Sequence, residues 1–377
     1  MLPAPAFVPP PYPYERLDAL KRLAESLPGG AVDCSVGTPT DPVPEVVLRA
    51  ASGALASSMG YPASAGSEEL RHAAAGWLAR RFGVTVPVEA IGACVGTKEL
   101  VALLPHLLRR RDPRRDTVLY PAVSYPTYEM GAVLAGCRAV AVPVDHAWHL
   151  DLDAVAEEDA RRALLLWVNE PGNPTSSVAD AATLARTAAW ARERGVVVAS
   201  DECYVEFAPR PATVLAAGLD GVLAVHSCSK RSNMAGMRVG FYAGDPDLVA
   251  YLVDTRRHAG LMVPGAMQAA AAAALADDEH VAVQRARYEE RRALLENGLA
   301  RHGLVHDGGP ACFYLWLRAE HGADDGWEIA GRLAHAGTLV APGDLYGAAG
   351  ADHVRLALVQ PTERLELALE RLDELGR

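Results

Sequence analysis

The residues of this 377-residue chain that can do chemistry gather in three short segments, each behind an apolar run. The first is Ser227-Cys228-Ser229-Lys230, with Arg238 eight residues after the lysine. Hydroxyls donate to anionic oxygens and a guanidinium offers a two-pronged grip, so this set can bind phosphate. The lysine can attack a carbonyl if its surroundings depress its pKa, because only the free amine is a nucleophile. A solvated polar loop can carry the same residues. In the second segment, Asp201-Glu202-Cys203-Tyr204, an acid stands at the tip of a buried run, where its charge must be paired or hydrogen-bonded. That acid can hold a cationic ring nitrogen while the phenol donates to a phenolate oxygen, or it can cap the next helix. The third segment, Asn169-Glu170-Pro171-Gly172-Asn173-Pro174-Thr175, must turn sharply and offers the Asn173 amide as a donor.

Strands must deliver these segments. Apolar runs at Thr117–Tyr120, Ala139–Val142, Leu164–Val168, Gly195–Ser200 and Gly221–His226 alternate with Ala/Leu/Arg-rich stretches such as Asp180–Arg194. The alternation predicts an α/β fold, its mostly parallel sheet flanked by helices, with ligands beyond the carboxyl ends of the strands. After residue 265 the texture changes. The alanine run Ala269–Ala274 and the stretch Val281–Leu299 predict helices, the first packed closely on a neighbour. Short strands at Phe313–Leu317, Thr338–Val340 and His353–Leu358 and a helix at Glu363–Leu375 complete a smaller α+β domain. The expected organisation is an N-terminal arm (1–45) joining the small domain, a large domain (46–268) and the small domain itself (269–377).

Composition narrows the function classes. Half the residues are apolar and 22% charged, which excludes wholesale disorder. With 36 Lys+Arg against 47 Asp+Glu the net charge is −11, a poor basis for binding nucleic acid. No run of about 18 apolar residues is present, so no membrane-spanning helix is expected. The start, MLPAPAFVPPPYPYERL, has neither a basic n-region nor an unbroken apolar h-region, which argues against a secretory signal. Six scattered cysteines without a C-x-x-C pair read as reduced thiols of a cytoplasmic protein. His302 and His306 have metal-ligand spacing, but Gly303 separates them and no acid accompanies them. They read as a surface helix end, and no metal site is expected.

In order and spacing, Asn173-Pro174-Thr175, Asp201-x-x-Tyr204, Ser227-x-Ser229-Lys230 and Arg238 resemble the signature of the class I/II aminotransferases, fold type I enzymes that use pyridoxal phosphate. The resemblance implies that Lys230 holds the cofactor covalently and then shuttles a proton. It implies that Asp201 pairs with the pyridinium nitrogen and that Tyr204 and Asn173 hold the phenolic oxygen. Ser227, Ser229 and Arg238 bind the phosphate, with backbone amides of Gly96-Thr97-Lys98 at a helix N-terminus. One branch of the family has serine at the position of Val95, and that hydroxyl is missing here. Tyr125 resembles the aromatic that stacks on the ring, with nearby Tyr128 as the alternative. Gly60-Tyr61-Pro62 resembles the segment whose tyrosine reaches the neighbouring subunit's phosphate, which implies a homodimer with a shared site; a packed loop aromatic is the other reading of Tyr61. Arg355 and Gly37 match the positions that receive the substrate α-carboxylate. One departure follows Asn173-Pro174-Thr175, where the family commonly has glycine and this chain has Ser176.

Whole blocks, among them Asp33–Pro39, Tyr120–Tyr128, Ser227–Met234 and Gly309-Pro310 before Phe313–Leu317, resemble the actinobacterial succinyldiaminopimelate aminotransferases. That family exchanges an amino group between N-succinyl-LL-2,6-diaminopimelate and 2-oxoglutarate in lysine biosynthesis. Such an anionic substrate predicts cations or amides around the pocket, with Lys98, Arg231 and Asn233 as candidates; the two cations can equally be solvated surface charges. Another amino-acid aminotransferase, aspartate, aromatic or alanine type, and a carbon–sulfur lyase on the same scaffold are the alternatives. A non-enzymatic regulator would need a basic DNA-binding extension, for which the N-terminal segment has no room.

Overall fold

A computed structural model describes residues 7–376 apart from 9, 322 and 323. The first six residues of the expected N-terminal arm, and the final Arg377, therefore lie outside the described residues. The large sheet runs, in spatial order, Ile91–Cys94, Gly240–Gly244, Val222–Ser227, Val197–Asp201, Ala163–Asn169, Thr117–Pro121 and Arg138–Val142. Only Gly240–Gly244 runs against its neighbours in this sheet. Consecutive side chains of a strand point to opposite faces. Leu166, Val168, Val198, Val222 and Ala224 accordingly enter one core, while Leu165, Trp167, Ala199, Leu223 and Val225 enter another. Helices cover both faces, which explains why these strands read as unbroken apolar runs.

The five runs expected as strands all form, with small shifts that have local causes. Gly195 is the left-handed cap (φ 62°) of the helix Ala181–Arg194, so the next strand starts at Val197. At that helix's other end, the Asp180 carboxylate accepts the Thr183 amide at 2.7 Å. Ile91–Cys94 and Gly240–Gly244 escaped the sequence reading because each is short and contains glycine.

A second sheet runs Ala341–Pro342, His353–Ala357, Tyr314–Ala319 and Leu304–His306, all antiparallel. Val32–Asp33 pairs with Thr338–Leu339 and so ties the N-terminal segment to this side of the molecule. The alanine-rich helix spans Gly265–Ala276 without a break across the expected 268/269 boundary. It packs on the helices Glu45–Ala54 and Glu68–Phe82, as its small side chains allow. His302 pairs with Asp373 at 2.6 Å, while His306 lies in a strand and not at a helix end. Among the described residues no group of side chains has metal-ligand geometry, no helix is long and apolar enough to cross a membrane, and all six cysteines are free.

Arg231, expected near the substrate, turns away from the cavity described below. Its guanidinium is buried against Glu206 (3.1 Å), whose carboxylate also accepts from Trp77 Nε1 (2.8 Å) and Arg81 Nε (2.9 Å). Asn233 likewise turns away, donating to Gln284 Oε1 at 3.0 Å. The four-residue helix Cys228–Arg231 rotates successive side chains around its axis, so sequence neighbours of Lys230 need not share its direction. Removing one partner of a buried ion pair leaves the other charge unsolvated. Glu206→Ala should therefore lower stability by about 3 kcal/mol in urea unfolding monitored by circular dichroism. A loss of under about 1 kcal/mol would show that the Glu206–Arg231 pair is a bystander.

Candidate active site

The register of the large sheet brings the three chemical segments together. Asn169 pairs with Asp201, and Asp201 with Val225, so the carboxyl ends of three neighbouring strands are level. The chain beyond each end supplies Asn173, Tyr204 and Lys230. With residues from the N-terminal segment and the second sheet they line a cavity of about 310 Å³. Thr97, Lys98, Tyr125, Asn173, Asp201, Tyr204, Ser227, Ser229, Lys230, Arg238, Gly37 and Arg355 all face it.

Asp201 is buried at the cavity wall. It accepts from the Tyr128 hydroxyl at 2.9 Å and from the Cys203 amide at 3.2 Å, and no cation pairs with it among the described residues. Burial pushes its carboxyl above the ordinary aspartate value, although the Cys203 and Tyr128 hydrogen bonds oppose the shift. Tyr128 is thus Asp201's phenolic donor and stacks on Trp167 (4.9 Å between ring centroids), while Tyr125 meets it edge to face at 5.8 Å; both line the cavity. Asn169 buttresses the same corner by donating to the Asp201 carbonyl at 2.9 Å and accepting the Asn173 amide at 2.8 Å.

Lys230 Nζ donates to the Gly37 carbonyl and lies 5.9 Å from the Phe313 ring centroid. Burial pushes its amine down to about 8, helped by the positive charges of Arg355 and Arg238. Opposite it, Ser227 Oγ accepts the Ser229 amide at 3.1 Å at the start of a helical turn. Arg238 takes a left-handed backbone (φ 51°) that aims its guanidinium at Gly96. A Cβ at Gly96 would lie only 2.2 Å from that guanidinium, and the Gly96 backbone (φ 71°) itself favours glycine. Thr97 begins the helix Thr97–Arg111 directly after it.

Arg355 is buried and makes no ion pair among the described residues. It donates to Asn173 Oδ1 at 2.9 Å and to the Ser35 carbonyl, and its Nε has no acceptor. The Tyr314 and Tyr346 rings lie 4.3 and 4.9 Å from the guanidinium carbon. The Tyr204 and Tyr314 hydroxyls share a 2.9 Å hydrogen bond, and burial, reinforced by Tyr314, keeps the Tyr204 phenol protonated.

Lys98 uses its side chain differently from a phosphate ligand: Nζ lies 5.1 Å from the Tyr12 ring centroid, on the cavity's outer side. Tyr12 and Tyr14 close that side from the N-terminal segment, Tyr14 through a 2.6 Å hydrogen bond to Tyr346. The sequence reading missed both, along with Tyr314. No short-range pattern marks a tyrosine that meets its partner 332 residues away, as Tyr14 does. Tyr61 does not line this cavity. It is 97% exposed, beside exposed Met59 and Leu55.

These residues fit pyridoxal phosphate. The unpaired buried Asp201 suits a cationic ring nitrogen, and the Ser227, Ser229 and Arg238 donors around the Gly96 cradle suit a phosphate. Comparison with known proteins agrees with this chemistry. A model of aminotransferase class I and II matches residues 30–372. The chain is 44% identical to a probable aminotransferase of Mycobacterium tuberculosis, over 96% of this chain and 85% of the relative. It is 42% identical to the 4-dedimethylamino-4-oxo-anhydrotetracycline transaminase OxyQ of Streptomyces rimosus, over 96% and 99%. It is 34% identical to the LL-diaminopimelate aminotransferase of Aquifex aeolicus, over 97% of both chains. Among solved structures, a probable N-succinyldiaminopimelate aminotransferase from Thermus thermophilus superposes with a TM-score of 0.86 at 31% identity, covering 96% of this chain and 99% of that one. The chain belongs to the class I and II aminotransferases, fold type I enzymes that work with pyridoxal phosphate.

Proposed function

We propose that this aminotransferase exchanges an amino group between N-succinyl-LL-2,6-diaminopimelate and 2-oxoglutarate, a step of lysine biosynthesis. The observation that carries the reading is the charge of the cavity: Lys98, Lys230, Arg238 and Arg355 line it against the single carboxylate of Asp201. Once Arg238 serves a phosphate, Lys230 the amino chemistry and Arg355 an α-carboxylate, Lys98 remains for a distal anion of the substrate. The diaminopimelate names among the relatives support the same class. OxyQ, at 42% identity, favours a second reading in which the acceptor is a larger ketone.

Bound in this cavity, pyridoxal phosphate supplies an aldehyde that takes up the amino group and a ring that withdraws electrons from the substrate Cα. The Lys230 amine, unprotonated in this cavity, would act as the general base that takes the proton from the substrate Cα. Asp201 keeps a proton on the facing ring nitrogen, while Asn173 and Tyr204 donate to the phenolic oxygen. Tyr125 packs against the ring face. Ser227, Ser229, Arg238 and the amides of Gly96, Thr97 and Lys98 anchor the phosphate. Arg355, with the backbone at Gly37, clamps the α-carboxylate and so fixes the Cα–H bond for cleavage. Residues 46–268 form the cofactor-binding domain, and the helix through 276 stays with it; 1–45 and the chain beyond that helix form the smaller domain. Tyr61 completes the phosphate site of a second copy, so the working unit is a homodimer, acting in the cytoplasm.

A half-reaction panel tests the substrate. L-Glutamate and N-succinyl-LL-2,6-diaminopimelate should each bleach the visible absorbance of the holoenzyme and need a 2-oxo acid to restore it. No bleaching by N-succinyl-LL-2,6-diaminopimelate, or release of ammonia and 2-oxo acid beyond one equivalent per site without an acceptor, rules the reading out. Lys230→Ala should remove the visible band and the borohydride-fixed adduct together. Lys230 Nζ sheds its proton near pH 8, so capture of the cofactor by cofactor-free protein should accelerate as pH rises through about 8 and then level off. A midpoint near the ordinary 10.5 would show that the cavity does not depress this amine. Arg355→Ala should raise the KM of amino donor and oxo acceptor alike, by roughly 100-fold, since both present the same carboxylate.

A further inference from the structure

Ser176 stands where the family pattern has glycine, and its backbone shows why: φ is 56°, in the left-handed region. A side chain is disfavoured there unless the surroundings hold it. Here they do. Ser176 is buried, and its hydroxyl donates to the Tyr314 carbonyl at 2.9 Å. Its amide donates to the Gly172 carbonyl at 2.9 Å, which closes the turn that carries Asn173.

This hydroxyl joins two parts of the fold. Thr175 and Ser176 belong to the turn after the central strand Ala163–Asn169, and Tyr314 opens a strand of the second sheet. The seam between them is tight. Gly309 donates to the Thr175 carbonyl at 2.8 Å and Ala311 to the Ser176 carbonyl at 3.2 Å. A Cβ at Gly308 or Gly309 would lie 2.2 Å from the Thr175 or Ser176 carbonyl oxygen, respectively.

Two of the groups that hold Arg355, Asn173 and Tyr314, meet at this seam. Asn173, which accepts from the guanidinium at 2.9 Å, is in the turn that Ser176 closes. Tyr314, whose ring lies 4.3 Å from the guanidinium carbon, contributes the carbonyl that Ser176 holds. We propose that Ser176 is a positioning residue for Arg355, its hydroxyl fixing the Asn173 side of the guanidinium relative to the Tyr314 side. Glycine would satisfy the φ angle and keep the main-chain bonds of the seam, but would lack the side-chain bond to Tyr314. The strained serine therefore adds rigidity to the carboxylate clamp that the turn alone does not need. The inference rests on the reading of Arg355 as the partner of the substrate α-carboxylate.

The test compares holoenzymes carrying Ser176→Gly, Ser176→Ala, Arg355→Lys and the double change Ser176→Gly/Arg355→Lys. The measurements are KM and kcat for L-glutamate and 2-oxoglutarate, the Kd of unreactive succinate by calorimetry, and Tm. Ser176→Gly should raise both KM values and the succinate Kd about three- to tenfold, the effect of one buried hydrogen bond. It should leave kcat within about twofold and Tm no lower, because glycine relieves the backbone strain. Ser176→Ala should show the same rise with a lower Tm, and Ser176→Gly carries the test if the alanine variant does not fold. Added to Arg355→Lys, Ser176→Gly should change nothing further. Unchanged KM and Kd in Ser176→Gly, beside raised values in Arg355→Lys, would overturn the proposal alone, as would independent, multiplying effects in the double variant. No rise in Arg355→Lys would overturn the reading of Arg355, and the proposal with it.

Discussion

Two groups of opposite charge type, Asp201 and Arg355, lie in the interior of this protein without a counter-ion beside them among the described residues. Asp201 has only a phenol and an amide for partners, and Arg355 only an amide oxygen and a main-chain carbonyl. Placing an ion in protein without an opposite charge costs several kcal/mol, and neutral hydrogen bonds recover part of it. Pairing the two with each other would be the cheaper arrangement. The fold prevents it by rooting Asp201 in a central strand of the large sheet and Arg355 in the second sheet, on different walls of one cavity. In the proposed reaction each charge is thereby kept for a ligand: a cationic ring on one side, a carboxylate on the other. Lys230 between them feels both burial and the nearby guanidinium groups, which is why its amine sheds a proton near pH 8.

Much of this was readable in the chain because a parallel sheet buried on both faces leaves a strong trace. Unbroken apolar runs end in Asn169, Asp201 and Ser227, and polar residues concentrate just beyond them. One level register then makes sequence landmarks into spatial neighbours, and the cavity lining contains most of the residues expected there, though not Gly96, Tyr61, Arg231 or Asn233. The misses have a common cause. Arg231 and Asn233 were placed by nearness to Lys230 in sequence, yet a single helical turn is enough to send them elsewhere. Tyr12, Tyr14 and Tyr314 reach the cavity across hundreds of residues, where no periodicity points. Of the three groups expected around the substrate, only Lys98 lines the cavity, its Nζ 5.1 Å from the Tyr12 ring centroid.

The non-glycine residues with left-handed backbones show where the fold accepts strain. Arg238 turns into the cavity against Gly96. Trp148 extends its indole to the Asp307 carbonyl at 2.7 Å, beside the second sheet. Asn233 reaches Gln284 on the long helix Glu279–Ala300, and Ser176 reaches Tyr314. Three of the four thus join the chain of the large sheet to the C-terminal part of the molecule, and the fourth brings a guanidinium into the cavity. A left-handed backbone costs on the order of 1–2 kcal/mol at a non-glycine residue, so each such residue requires a compensating contact.

Those contacts bear on the two unpaired charges. A guanidinium held by neutral groups discriminates among carboxylates only as well as its supports keep still, because a displacement of about 1 Å weakens a bidentate pair severely. The second sheet cannot fix Arg355 alone: one of its supports, Asn173, belongs to the large sheet's loops, and another, the Ser35 carbonyl, to the N-terminal segment. Three separate stretches of chain therefore have to agree on the position of one side chain. The strained, side-chain-mediated joint at Ser176 is one physical form that agreement takes, since it ties the Asn173 turn to Tyr314 beside Arg355.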